Sequence, residues 1–431
     1  MNPAIGNTPK EYAVVPFYAT AAVVFFIFTL LMFIAAPQFA AHYFHGKTLA
    51  LVHTAALGWA TMIIFGAAYQ LLPVIFERNL YSSILALASY FFLLAGSILL
   101  IFSFWYFFLS WGMISGGISV IVAVLLYCFN VFKTADFKKN KLNIQNYFII
   151  SSALYLLITC TIGLLLVINL AYPFFNISHL EILKLHAHLG IVGWFLQLIT
   201  GISVRLVPMF LLSKSNKSHL LSLSFIFQNV GILGFTLDRY FTGSPARSTL
   251  YLILVGVGIF YWLFYLRDTY KNRLKRKVEV QMKFAFISFG FLIASLFVAL
   301  LILNFSDIQW STLYGTFIFL GWISAIILGK TFKTLPFIIW NTRYKTLHGK
   351  MKLPMPKDLY IEQWIHYQYK LFVAAMLLLT IGIVSNILLI IKAGLFLWIL
   401  IATLYITNIF KILFHKKQLT DGTSNNRSTL P

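Results

Sequence analysis

The sequence contains only two cysteines, and only 11 Asp and Glu among 431 residues. Cys128 and Cys160 stand in different apolar runs without CxxC spacing, which excludes a disulfide framework and a thiolate metal site. There is no CxxCH segment for covalent heme attachment either. No Asp or Glu occupies the middle of an apolar run; all eleven lie in connecting segments or near run ends. Proton pumps and proton-coupled transporters use carboxylates at that depth, so this absence counts against both classes. Charged residues make up 10% of the chain, well below the share carried by soluble domains.

What the chain has instead is hydrocarbon. It is 60% hydrophobic and repeatedly exceeds the 18 or so apolar residues needed to cross a bilayer as a helix. The expected fold class is all-α: a polytopic membrane protein of twelve transmembrane helices, near 12–36, 47–75, 81–104, 107–133, 146–170, 181–212, 218–241, 247–271, 281–303, 308–340, 365–392 and 394–414. The first run is read as a retained helix, because it is long and lacks the short apolar core and small-residue cleavage pattern of a signal peptide. Residues 1–414 are expected to form a single transmembrane domain, followed by a polar, disordered cytoplasmic tail at 415–431.

The net charge of +22 follows from topology. If the amino terminus is cytoplasmic, most Lys and Arg fall in cytoplasmic segments, and the outer segments hold Lys47, Lys184, Arg239, Arg247 and Lys392. This is the positive-inside pattern of a bacterial-type cytoplasmic (inner) membrane protein with both termini inside. The basic residues are dispersed over short loops without a nucleic-acid-binding motif, so the expected partner is membrane lipid and not nucleic acid.

One segment occurs three times. "GWATMIIFGAAYQLLP" begins at Gly58, "GWFLQLITGISVRLVP" at Gly193 and "GWISAIILGKTFKTLP" at Gly321. Each reads GW, six residues, G, six residues, P. The copies fall in spans 2, 6 and 10, second in each block of four, giving three pseudo-threefold arcs with repeat units near 12–133, 146–271 and 281–414. The motif glycines lie eight residues apart on nearly one helix face, where they admit either a neighbouring helix or a flat ligand. Pro73, Pro208 and Pro336 fall near the inner ends, where a kink or stop is tolerated.

Five residues before the GW glycine stand His53, His188 and Thr316. His186 lies two residues earlier than His188, matched by Tyr314 in the third copy. The three histidines share one depth, about two turns below the outer surface. A single His on an apolar helix is commonly a hydrogen-bonded core residue, but ionisable groups within a span are functional candidates, and neutral imidazole suits iron and copper. His186 and His188 are rotated about 200° from each other, so one helix serves either two centres or one ligand and its hydrogen-bonding partner. His42, His45 and His179 lie in outer loops, and His219, His348, His366 and His415 face the cytoplasm. Arg239 and Arg247, unusual on the outer face, are candidates for heme propionates, with Asp238 as a local alternative partner for Arg239.

Twelve helices in three arcs, with histidines near the outer ends of helices 2 and 6 in "HTAALGWATMIIFGAAYQLLPVIF" and "HAHLGIVGWFLQLITGISVRLVPMF", resemble subunit I of the heme-copper oxidase superfamily. The likeness covers the whole membrane region and points to the divergent cbb3-type oxidase and nitric oxide reductase branch, and to NnrS-like heme proteins. It implies heme b, with copper or a second iron as a further metal, dioxygen or nitric oxide as the gas ligand, and a quinol or cytochrome as electron donor. His53 matches the family's helix-2 heme ligand, and His186 or His188 its helix-6 metal ligand. The family's full set needs six histidines in the outer half and the spans here supply three, so a complete binuclear centre is not expected. Tyr314, aligned with His186, is placed to donate a hydrogen bond or supply a phenolate. The expected function is therefore heme binding linked to respiratory electron transfer or O2/NO chemistry. The alternatives are non-catalytic NnrS-like handling of heme, copper or nitric oxide, and transport, although three same-orientation repeats do not match the inverted halves of most secondary transporters.

Overall fold

The computed structural model describes residues 9–109, 111–136, 142–213, 215, 217–243, 245–274, 278–305, 307–347 and 353–415. His348 and the tail beyond His415 lie outside them. Twelve helices are long and apolar enough to cross a membrane: α1 (Val15–Ile34), α2 (Gly46–Ile75), α3 (Ser83–Tyr106), α4 (Trp111–Ala135), α5 (Ile144–Ala171), α6 (His179–Leu211), α7 (Ser218–Thr242), α8 (Ser248–Lys271), α9 (Val280–Asn304), α10 (Ile308–Arg343), α11 (Glu362–Ser385) and α12 (Leu388–Leu413). No strand occurs among the described residues. The protein is an all-α, multi-pass membrane protein.

The helices follow one another around a closed ring, α4 passing to α5, α8 to α9 and α12 back to α1. Arg343 at the end of α10 ties the closure, donating to the Leu413 carbonyl at 2.8 Å and to Glu11 Oε1 at 3.0 Å. Inside the ring stand α2, α6 and α10, with 78, 67 and 72% of their apolar windows buried, against 22–44% for the other nine. The repeat therefore marks the inner layer.

The motif glycines seat this layer. A Cβ on Gly58, Gly193 or Gly321 would lie 2.5–2.7 Å from Val24, Tyr155 or Phe291, and one on Gly66, Gly201 or Gly329 would lie 2.8 Å or less from Phe17, Phe148 or Phe284. Within α1, α5 and α9 these partners are seven residues apart, against eight between the motif glycines, so each block repeats one docking geometry. Of the two readings open for the glycine face, the structure shows helix on helix: lipid offers no hydrophobic drive for helix association, and close backbone approach supplies dispersion contact instead.

The tryptophans of the motif form the centre. Trp59 Nε1 donates to Ser324 Oγ at 3.0 Å, and Trp194 Nε1 to Thr61 Oγ1 at 3.2 Å. Each acceptor sits three residues after the GW glycine of the next inner helix. For Trp322 that position is Leu196, which has no acceptor, and its buried Nε1 has no partner among the described residues. A buried hydrogen bond contributes about 1 kcal/mol. Trp322→Phe is therefore expected to destabilise the protein by about 1 kcal/mol less than Trp59→Phe or Trp194→Phe, read as thermal unfolding in detergent.

One span boundary differs from expectation. The last turn between helices falls at Asn386 and not near residue 393. Asn386 adopts φ 54, and Ile387 N donates to the Gly382 carbonyl at 3.0 Å, so Asn supplies a left-handed cap there. Gly394 packs within α12 against Leu379, and Lys392 is helical.

Candidate functional site

Each inner helix departs from α geometry at one place. The chain widens to π-helical i→i+5 hydrogen bonding over Thr54–Thr61, Leu189–Leu196 and Phe317–Ser324, directly after His53, His188 and Thr316. A π segment holds an extra residue per turn and so rotates the side chains ahead of it relative to those behind. This lets the glycine faces dock on α1, α5 and α9 while the His and Tyr side chains ahead of each bulge take a different direction, toward the neighbouring inner helix.

His53 on α2 and His186 on α6 are brought together, with ring centres 6.3 Å apart and planes 19° from parallel. His53 Nδ1 donates to the Leu49 carbonyl at 2.8 Å, and His186 Nδ1 to the Thr159 carbonyl of α5 at 2.9 Å. Because a carbonyl can only accept, each Nδ1 carries the proton and each Nε2 keeps its lone pair. Phe104 of α3 packs on the His53 ring at 4.7 Å.

His188, two residues on, faces a different helix. Its ring centre lies 6.1 Å from that of Tyr314 on α10, at 24°, and Phe235 of α7 packs beside it. Its Nδ1 donates to the Lys184 carbonyl at 2.8 Å. Of the alternatives for the His186/His188 spacing, the structure thus shows the two rings serving separate gaps. One inner helix contributes its position five before GW, and the next contributes its position seven before GW. Thr316 and Leu51, which occupy these two positions in the remaining copies, are both buried, whereas His53, His186, His188 and Tyr314 each keep accessible surface. Among the described residues no three His, Cys, Asp or Glu side chains converge to hold a metal ion.

The outer arginines have protein partners. Arg239, 8% exposed, ion-pairs with Glu181 in the first turn of α6, and Glu181 also receives Lys184 Nζ at 2.7 Å. Arg239 Nη1 is buried with no partner among the described residues. Asp238 pairs at 2.9 Å with the largely exposed Arg247, not with Arg239 as its adjacency suggested. His42 and His45 accept hydrogen bonds from nearby backbone N–H groups, and His179 lies 3.2 Å from the Asn169 amide. His219 and His366 are exposed at helix starts, and His415 Nδ1 lies 2.7 Å from Tyr344 Oη.

Sequence reasoning missed the supports of His186. Gly163 of α5 passes so close that a Cβ there would fall 2.8 Å from His186 Cε1. A glycine is needed at that approach, and its only sequence signal is a lone Gly in an apolar run. Gly163→Ala is therefore expected to push the His186 ring aside and to destabilise the protein by about 1–3 kcal/mol, read as thermal unfolding in detergent.

No family model matches the chain, and no curated protein is similar enough to stand as a relative.

Proposed function

We propose that this is an integral membrane heme protein in which His53 and His186 ligate one heme b iron from opposite sides, between α2 and α6. The ring separation carries this reading. A metal-bound imidazole nitrogen sits about 2.0 Å from the metal and about 1.15 Å from its own ring centre, so two imidazoles on opposite sides of one iron have centres about 6.3 Å apart. The observed separation is 6.3 Å. The bound heme supplies reversible one-electron chemistry. The protein's own contribution is to hold both imidazoles with Nδ1 anchored and to seat them among apolar side chains.

Arg239, whose Nη1 is free and buried, suits a propionate; Arg247 is exposed and paired with Asp238. The reading follows the resemblance to heme-copper oxidase subunit I and links the protein to electron transfer from a quinol or cytochrome, or to O2 or NO chemistry. The distribution of Lys and Arg supports a bacterial-type inner membrane location with both termini cytoplasmic.

Protein purified after heme-replete expression is expected to show a Soret band and a low-spin ferric spectrum. Lack of a Soret band overturns the reading. Bound heme without O2 or NO consumption assigns it to the non-catalytic class.

A further inference from the structure

Lys330 of α10 is a cation in apolar surroundings. It follows the second motif glycine, Gly329, where the other two copies carry Ala67 and Ile202, so docking of the inner helices does not require a charge there. An ammonium within a membrane helix is costly and is ordinarily paired. Lys330 Nζ instead donates to the Met282 thioether of α9 at 3.1 Å and stands 5.2 Å from the centre of the Phe210 ring on α6. Sulfur is a weak acceptor, and an ammonium has three N–H groups to place. Lys333, one turn further on, has its carboxylate in Glu279. Lys330 has none among the described residues, and it keeps accessible surface.

Phe210 is the last residue but one of α6, so the Lys330 ammonium lies beside the final turns of that helix. The stem runs along apolar side chains and carries its charge toward the membrane boundary. The turn after α8 meets the same helix end, where Leu274 N donates to the Leu212 carbonyl at 3.4 Å. Just before it, Arg273 lays its guanidinium over the Tyr270 ring at 3.7 Å, with Nε buried and without a partner among the described residues. Lys271, Lys275, Arg276 and Lys277 add charge of the same sign to this segment, residues 275–277 lying outside the described ones. The surface around these cations is apolar. Phe337, two turns beyond Lys330 on the same face of α10, and Met209 and Leu212 at the end of α6 are each at least half exposed.

We propose that the crevice between the end of α6 and helices α9 and α10 binds an acidic phospholipid, with Lys330 Nζ as the deep contact to its phosphate and Arg273 at the rim. A basic pocket between membrane helices, near the end where Lys and Arg accumulate, suits an anionic headgroup. The exposed apolar rim favours a ligand with hydrocarbon of its own over a free phosphate. The occupied site would give the Lys330 ammonium the oxygen acceptors that Met282 and Phe210 do not supply.

The test uses the full-length protein in detergent, washed free of lipid and titrated in parallel with phosphatidylglycerol, phosphatidylcholine and inorganic phosphate. Retained lipid is counted by native mass spectrometry, and Tm is read alongside. The expected result is one phosphatidylglycerol retained with a rise in Tm, and neither effect from the other two probes. Lys330→Met, similar in length but uncharged, should weaken retention at least 10-fold, and Lys330→Arg should preserve it. Lys411→Met, at an exposed position in the last turn of α12, should leave it unchanged. Helical circular dichroism and a monodisperse elution profile establish that each variant is folded. Equal retention of phosphatidylglycerol by wild type and folded Lys330→Met, or equal retention of the two lipids by wild type, overturns the proposal. Protection by inorganic phosphate that Lys330→Met loses also overturns it and makes the ligand a soluble anion. None of these outcomes depends on bound heme.

Discussion

On the proposed heme reading, His186→Ala is expected to abolish low-spin heme binding. The ring centre lies 6.3 Å from that of His53, and among the described residues no three His, Cys, Asp or Glu side chains form a group that could replace the pair. Displacing a group that merely orients a ligand costs 10–100-fold in affinity, so losing the ligand should cost more than about 100-fold. His53→Ala should behave alike, because each leaves the iron with one imidazole. His188→Ala should leave the Soret band in place, since its ring faces Tyr314 and α10. The measurement is the ferric spectrum with a heme-to-protein ratio, followed by added imidazole. Recovery of the low-spin spectrum in His186→Ala with imidazole identifies a missing ligand and not a misfolded chain. An unchanged spectrum in His186→Ala, or equal loss in His188→Ala, contradicts the assignment.

The largest effect on stability is expected at the glycine face. A Cβ on Gly329 would sit 2.5 Å from the Gln281 carbonyl oxygen and 2.8 Å from Phe284 Cβ. The first of these neighbours is backbone and cannot rotate away, so α10 must shift off α9. Alanine is the better helix former by about 1 kcal/mol, but overpacking of this kind costs up to about 3 kcal/mol or more. Gly329→Ala is therefore expected to destabilise by about 2 kcal/mol or more, seen as a lower Tm in detergent. Gly290→Ala on α9, where a Cβ meets nothing within 4 Å, serves as the control and should be neutral or slightly stabilising. Equal behaviour of the two variants would mean that the motif glycines do not set helix approach.

The three GW segments are legible because they are one docking surface written three times: small residues where α1, α5 and α9 press closest, and tryptophans where the inner helices meet. Their depth is legible too, because His53, His186 and His188 are counted from the same glycine. The pairing is not. A helical wheel with a constant 3.6-residue period cannot say which neighbour His186 faces when a π segment follows it, and nothing local in LGIVGWFL marks a π segment. Gly163 and the Thr159 carbonyl, which fix His186, belong to α5 and reach the site only through packing. The partners of Arg239 and Arg247 were misjudged for a similar reason. Adjacency in sequence favoured Asp238 for Arg239, but neighbours along a helix point about 100° apart, and the next helix brought Glu181 instead.

By itself the sequence determined the membrane, the twelve helices, the threefold repeat and the depth of the histidines, because length, hydropathy and spacing act along the chain and survive without knowledge of neighbours. Only the tertiary structure decided that His53 meets His186 and that His188 meets Tyr314. Those outcomes depend on how π-widened helices are turned against one another around the axis, and that rotation is set by packing between different helices, as of His186 against Gly163 and Thr159 of α5.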